Sequence, residues 1–259
     1  MPFTARELLP GVYHIEDALG VCFTLLVGRE RAMLVDAGYG LEDVRVFIRT
    51  ITDLPITLWL THGHHDHALG ARWFDEVRIH PADGDVYALY TSRAWREHVL
   101  ASVRNAGIAL DEAAYLSAPM PKPETSAGEV LDLGGLTARI LPCPGHTPGS
   151  VAVYVPERKL LLTGDDWNPV TWLFFPEALP VVAYRENLRG LLELPFAWVI
   201  CPQRTRLYPR SALESFAHGL TDEALHAAPA ADTGRAMGVD THELSLLGEQ
   251  KLVFDAGKL

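Results

Sequence analysis

The stretch Thr61-His62-Gly63-His64-His65-Asp66-His67 places four histidines and one aspartate within six positions of a chain with eleven histidines in all. Neutral imidazoles and a carboxylate are the donors that borderline divalent ions such as zinc prefer. So dense a cluster does not arise readily from composition, and it reads as a metal-binding motif rather than a solvated histidine-rich loop. Its flanks indicate how it is presented. Ile56 to Leu60 is an apolar run with Thr57 and Trp59 as β-formers, a buried strand feeding a loop. Ala68 to Phe74 reads as the first turns of a helix, so Asp66 sits near a helix N-terminus, where negative charge is favoured. Histidines two apart at a strand end can aim at one point, and an Asp-His pair at the helix start can aim at a second point close by.

Two later turns complete the pattern. Pro144-Gly145-His146-Thr147-Pro148-Gly149-Ser150 follows a strand, and its glycines and prolines make a rigid turn that holds His146 at the strand end. Thr163-Gly164-Asp165-Asp166 follows another apolar strand and exposes Asp165 in the same way. Each is weak alone. In this order, after His-x-His-x-Asp-His, they resemble the metallo-β-lactamase superfamily of metallo-hydrolases over roughly residues 11–205. The resemblance, with glyoxalase II among the similar proteins, implies an α/β fold built as a four-layer αββα sandwich. It implies a first metal pocket from His62, His64 and His146, and a second from Asp66 and His67, with Asp165 bridging the two. His65 takes a variable position and is not expected to be a ligand. Asp36, at the end of an early strand, matches a structural aspartate expected to support the site by hydrogen bonding.

One part departs from the pattern. The family's last ligand is a histidine just after a late strand, and the equivalent stretch here is Ile200-Cys201-Pro202-Gln203-Arg204-Thr205. Gln203 or Arg204 takes the place, depending on register. A glutamine amide oxygen is a poor zinc ligand and arginine offers no lone pair. Unequal metal sites follow, one tight and one weak or empty. An arginine reaching into the site would oppose a second cation and would clamp an anionic substrate; the alternative is a surface arginine.

The expected chemistry is hydrolysis by metal-activated water, with Asp66 orienting that water or taking its proton, on a small ester, thioester, lactone or amide, or a phosphoester. One or two zinc ions are the expected cofactor, with iron or manganese as substitutes. A second reading is a persulfide-dioxygenase-like site with one iron on His62, His146 and Asp165. A third is a non-catalytic member that keeps the fold and binds metal. The aromatic run Trp167 to Phe175, with Trp167 and Trp172, supplies a candidate apolar wall for a substrate, or else core or an oligomer contact. Tyr184 and Asn187 are candidate polar contacts.

The elements that must position these groups come from patterning. Gly11 to Val35 reads as β-structure, Leu41 to Thr52 as a helix by its apolar spacing, and Val77 to His80 as a strand. Residues 82–125 are helix-compatible from Val86 to Ala106 and from Leu110 to Leu116, a candidate helical insertion over the site. Hairpins are expected at 129–141 and 150–162, helices at 185–194 and 211–226, a short strand at 198–201, loop at 227–248 and a closing strand at 251–254. No strong linker divides residues 1–259, so one domain is expected. A net charge of −11 argues against nucleic acid as a partner. No run approaches the roughly 20 apolar residues of a membrane span, and Met1 to Glu7 carries no apolar signal region. The expectations are a small-molecule substrate, a cytoplasmic location and a homo-oligomer as one use of the aromatic run. Cys22, Cys143 and Cys201 are too few and too scattered for a disulfide framework.

Overall fold

The computed structural model describes residues 3–259. Its first sheet has seven strands in sequence order: β1 (Thr4–Leu9), β2 (Val12–Glu16), β3 (Cys22–Val27), β4 (Ala32–Val35), β5 (Ile56–Trp59), β6 (Val77–Ile79) and β7 (Glu124–Thr125). β1 to β4 run antiparallel, and β4 to β7 run parallel. The second sheet is built from β8 (Glu129–Asp132), β9 (Thr137–Pro142), β10 (Val151–Val155) and β11 (Leu160–Leu162), extended beyond β11 by β13 (Trp198–Ile200) and β14 (Tyr208–Pro209). A third sheet joins β12 (Val170–Leu173), β17 (Lys251–Asp255), β16 (Thr241–Ser245) and β15 (Ala230–Ala231), in that order.

Strand alternation sorts the apolar residues into layers. Met33 and Val35 of β4, Trp59 of β5, Val151, Val153 and Val155 of β10, and Leu160 and Leu162 of β11 all meet in one buried cluster between the first two sheets. The intervening residues face outward. Leu34 and Leu58 pack with Val44 and Ile48 of helix α1 (Val44–Ile48). Ala152, Tyr154 and Leu161 pack under α6 (Val181–Leu191) and α7 (Arg210–Gly219), together with Leu225 of α8 (Asp222–Ala227). The result is two sheets face to face with helices outside, the α/β sandwich that the resemblance implies. Among the described residues no helix is long and apolar enough to cross a membrane.

Several local expectations need correction. The stretch Val86 to Ala106 is two helices, α3 (Gly84–Tyr90) and α4 (Arg93–Asn105), because Ser92 accepts from the Trp95 amide and starts a new helix. Residues 211–226 break likewise at Thr221, which caps Ala224. The short helix expected after the histidine motif begins earlier, as α2 (His65–Ala68) with Asp66 in its first turn, and continues as a 3-10 turn. The 227–248 region is not loop throughout, since it holds β15 and β16. Its composition hides two short strands whose stability comes from pairing with distant β17 and, through it, β12. α5 (Glu112–Ser117) closes the helical stretch, and Tyr115 packs with Leu69, Val99 and Val103.

Candidate metal centre

The strand ends bring the motifs together. Val35 pairs with Trp59 in parallel register, so Asp36 and Thr61 leave the first sheet at the same edge. Leu162 pairs with Ile200 in parallel, so the Asp165 and Gln203 turns leave the second sheet together. His146 lies in the loop between β9 and β10. Gly164 has φ +52, and a Cβ there would stand 2.8 Å from Thr61 Cβ. Only glycine lets the Asp165 turn approach the histidine loop so closely.

Four imidazoles meet at this edge, each held by its outer nitrogen. His62 Nδ1 donates to Thr61 Oγ1 at 3.1 Å. His64 Nε2 donates to Glu177 Oε1 at 2.6 Å. His146 Nδ1 donates to the Trp172 carbonyl at 2.7 Å. His67 Nδ1 donates to Asp36 Oδ2 at 2.9 Å. Carbonyls and carboxylates only accept, and Thr61 Oγ1 spends its own proton on Asp36, so each partner takes one ring N–H and leaves the other nitrogen facing inward, a lone pair on His62, His64 and His146. The inner nitrogens of His64 and His146 face each other at 2.9 Å. His62 Nε2, His67 Nε2 and Asp165 Oδ1 are buried with no hydrogen-bond partner. Facing lone pairs and orphaned buried ligand atoms are costly unless a cation lies among them.

Two donor groups result, His62–His64–His146 and His62–His67–Asp165, each with its ligand atoms within 4.8 Å of one another. Asp66 Oδ2 lies 3.5 Å from His67 Nε2, and Asp165 Oδ2 lies 3.6 Å from it. The six residues implied by the resemblance therefore sit at one centre. The two-histidine, one-carboxylate set of the iron reading is not separated out: Asp165 Oδ2 stands 3.9 Å from His146 Nε2, farther than the third imidazole, His64. Burial, then the neighbouring imidazoles, hold His62 well below the usual histidine range; burial also lowers His64 to about 4. Both are neutral at pH 7, as ligands must be. Burial opposes charge on His67 as well, but Asp66, Asp36 and Asp165 together outweigh it and raise its pKa, a proton that a bound cation would displace.

Asp36 supports the centre as expected. Its Oδ1 accepts the Thr61 amide at 2.7 Å, and Oδ2 accepts Thr61 Oγ1 at 2.8 Å besides His67. It does so from a left-handed backbone, φ +64, a conformation that aspartate tolerates better than most residues. In the stretch where the resemblance expects a last histidine, Gln203 is the residue that reaches the centre, its Nε2 3.4 Å from Asp66 Oδ2. Arg204 bonds back to the Gln203 carbonyl through Nη1. His14 holds this loop by donating from Nε2 to the Arg204 carbonyl at 2.9 Å. Cys201 is buried, its thiol pushed up to about 12 mainly by desolvation; Cys22 and Cys143 are buried and unpaired as well.

A cleft of about 440 Å³ opens over the centre, lined by Asp66, Asp165, Gln203 and Arg204 and by apolar faces of Trp172 and Phe175. Tyr90, at the end of α3, packs tilted against His64 with ring centroids 4.3 Å apart and also lines the cleft. Trp172 is 43% exposed there. Trp167, a candidate for the substrate wall, and Tyr184, a candidate polar contact, sit elsewhere. Trp167 is enclosed in the core against Tyr208. Tyr184 is buried and donates to the Asp166 carbonyl at 2.6 Å, and Asn187 donates to the Pro144 carbonyl at 2.7 Å. Both brace the turns that carry His146 and Asp165, because α6 packs behind those turns. Sequence reasoning missed three supporting carboxylates. Asp83 knits the Gly63 and Gly149 amides at 2.6 and 2.7 Å. Asp166 accepts from the His146 amide at 2.9 Å. Glu177 orients His64. Asp83 and Asp166 had turn-like contexts but no local mark of a long-range partner, and Glu177 had none at all.

A two-sheet α/β sandwich with histidines and aspartates gathered at its strand ends defines a metallo-hydrolase architecture. The family model for the metallo-beta-lactamase superfamily matches residues 18–165, and the chain belongs to that superfamily, whose members bind metal ions and include hydrolases. It is 26% identical over 247 residues to the acyl-coenzyme A thioesterase MBLAC2 of Gallus gallus, covering 86% of this chain and 87% of that one. Among solved structures, the metallo-beta-lactamase from Pontibacter korlensis shares the fold with a TM-score of 0.60 at 17% identity, over 82% of this chain and 95% of the other. TTHA1623, solved in a di-iron-bound form, superposes with a TM-score of 0.54 at 26% identity, over 76% and 92%. The chain is thus a metallo-hydrolase.

Proposed function

We propose that this chain is a metal-dependent thioesterase acting on acyl thioesters. The observation that carries the reading is the convergence of three imidazoles, each with its outer nitrogen engaged, beneath an open cleft with an apolar wall. Likeness to the MBLAC2 thioesterase over most of both chains supports the thioester class.

His62, His64 and His146 would hold a first cation, and Asp66, His67 and Asp165 a second. A zinc-type ion in such a pocket supplies Lewis acidity and brings the pKa of bound water to roughly 7. Asp66 lines the cleft, and although burial disfavours its charge, His67 and the other histidines keep it ionised. It is placed to orient water and to accept its proton. Trp172 and Phe175 pack against the acyl group. Arg204, the one permanently cationic side chain among the described residues lining the cleft, attracts an anionic carrier group. The second cation is the weaker: Gln203 offers a carboxamide where an imidazole would ligate. Asp66 and Asp165 make that pocket richer in oxygen, so harder ions such as manganese compete better there than in the all-imidazole pocket, while Gln203 turns its Nε2 rather than its oxygen toward Asp66.

The test is thiol release from acyl-CoA thioesters of graded chain length, alongside carboxyl esters and lactones, with zinc-loaded and chelated protein. Thioester turnover that is lost on chelation and in His62→Ala supports the reading. Ester or lactone turnover with intact thioesters would overturn it, as would oxygen uptake by a one-iron form without hydrolysis.

A further inference from the structure

Two of the three imidazoles in the first pocket are oriented by a segment outside the 18–165 family match. β12 supplies the Trp172 carbonyl to His146, and the turn after it supplies Glu177 to His64. That turn is itself gripped by the residues that follow β17. β12 pairs in parallel with β17, Leu173 opposite Phe254. The residues after each strand therefore emerge side by side. The 3-10 turn Ala256–Lys258 follows β17, and Lys258 Nζ donates to the carbonyls of Phe175, Pro176 and Ala178 at 2.9, 2.8 and 2.8 Å. The three acceptors bracket Glu177. An ammonium has three donors, and here all three are spent on one turn.

The other constraints on this turn point the same way. Phe175 packs its ring against His64 and His146, with centroids 5.0 and 5.5 Å away. Leu179 donates to the Gly145 carbonyl at 2.8 Å, tying the turn to the loop that carries His146. Tyr90 packs its ring against the same His64, centroids 4.3 Å apart, with its phenol beside the Glu177 carboxylate. Glu177 is thus held between His64, Tyr90 and a backbone shaped by Lys258.

We infer that Lys258 and Glu177 form a clasp that positions His64: the ammonium fixes the 175–178 turn, and the turn fixes the carboxylate that orients the imidazole. Both are positioning residues. The inference rests on the first metal pocket but not on the substrate assigned above.

The experiment is zinc affinity of the metal-free chain, by chelator competition, for wild type, Glu177→Ala, Glu177→Asp, Lys258→Met, Lys258→Arg and the Glu177→Ala/Lys258→Met double variant. Thermal unfolding in chelator is measured in parallel. Loss of a partner that orients a metal-bound histidine costs about tenfold to a hundredfold in affinity. Glu177→Ala and Lys258→Met are expected to fall in that range, and the double variant no lower than Glu177→Ala, because the lysine acts through the glutamate. Lys258→Arg is expected to recover much of the loss, since a guanidinium can also reach several carbonyls. Unchanged affinity in Lys258→Met, or additive losses in the double variant, would refute the clasp. So would a fall in melting temperature with affinity intact, which marks a purely structural contact. A wild type that binds no zinc would instead remove the metal pocket itself, and a zinc-tight wild type without thioester turnover would remove only the substrate assignment.

Discussion

Replacing Asp36 tests how far one buried carboxylate governs the centre. Its two oxygens take three hydrogen bonds, from the Thr61 amide, Thr61 Oγ1 and His67 Nδ1, at 2.7 to 2.9 Å and with almost no solvent contact. Asp36→Ala strands all three donors. An unsatisfied buried donor costs about 1–3 kcal/mol, and Thr61 can relieve one by rotating its hydroxyl, so a loss of about 3–5 kcal/mol is expected, including alanine's strain at φ +64. For a chain of this size that is a fall in melting temperature of about 10 °C. Asp36→Asn separates shape from chemistry. Asparagine tolerates the left-handed backbone and can keep the Thr61 amide bond, but it turns an N–H toward His67. His67 then either loses its partner or moves its proton to Nε2, the atom facing Asp66 and Asp165. The stability cost is smaller, roughly 1–2 kcal/mol, whereas binding of the second ion weakens about tenfold to a hundredfold. Zinc titration of metal-free protein, with elemental stoichiometry and melting curves in chelator, reads both quantities. If Asp36→Asn matched Asp36→Ala in stability loss, or left the second binding step unchanged, the claim that Asp36 fixes the His67 tautomer would be wrong.

Gln203→His restores an imidazole beside Asp66 and should convert one strong and one weak zinc-binding step into two strong ones, read by the same titration; a weak second step that persists would mean the pocket is limited by something other than residue 203. Burial lowers the His14 pKa to about 4 from 6.5, against an opposing hydrogen bond to the Arg204 carbonyl. The unfolded chain therefore binds the extra proton first, so this contribution to stability is complete above pH 6.5 and is lost as pH falls through about 4. The difference is worth roughly 3 kcal/mol, and denaturant unfolding of wild type and His14→Gln from pH 7 to 4 should show the steeper fall in wild type. Trp167→Ala should cost about 3–5 kcal/mol by leaving a cavity in the core. Trp172→Ala should instead raise KM for long-chain thioesters with the melting temperature nearly unchanged, and the opposite pattern would reassign the cleft wall.

What was legible in the sequence was local chemistry punctuated by strand ends. His62, His64, Asp66 and His67 share one short loop-to-helix stretch, so their types and spacing announce a ligand set, and the glycine-flanked turns at His146 and Asp165 announce strand ends that can meet it. The same period-two alternation that sorts Val151 from Ala152 fixes the two facing sheets. Illegible were the contacts whose partners lie far along the chain and whose own neighbourhoods are ordinary. Glu177 sits between a proline and an alanine, Lys258 one residue from the end, and nothing near either marks a role. Their meeting depends on β12 pairing in parallel with β17, across some eighty residues, and the strands that complete that sheet hide in a stretch rich in alanine and glycine. The misassignment of Trp167 has the same root. Proximity in sequence to Asp165 suggested the cleft, but Trp167 ends the Asp165 turn before β12 begins and is enclosed in the core, whereas alternation along β12 turns Trp172 outward between buried Thr171 and Leu173. Trp172 is the one that reaches the open side, while Trp167 anchors the turn from behind. The ligands of such a centre are written in the loops; their aim is set by segments that carry no motif, and it is there that chains of similar motif can differ in metal affinity.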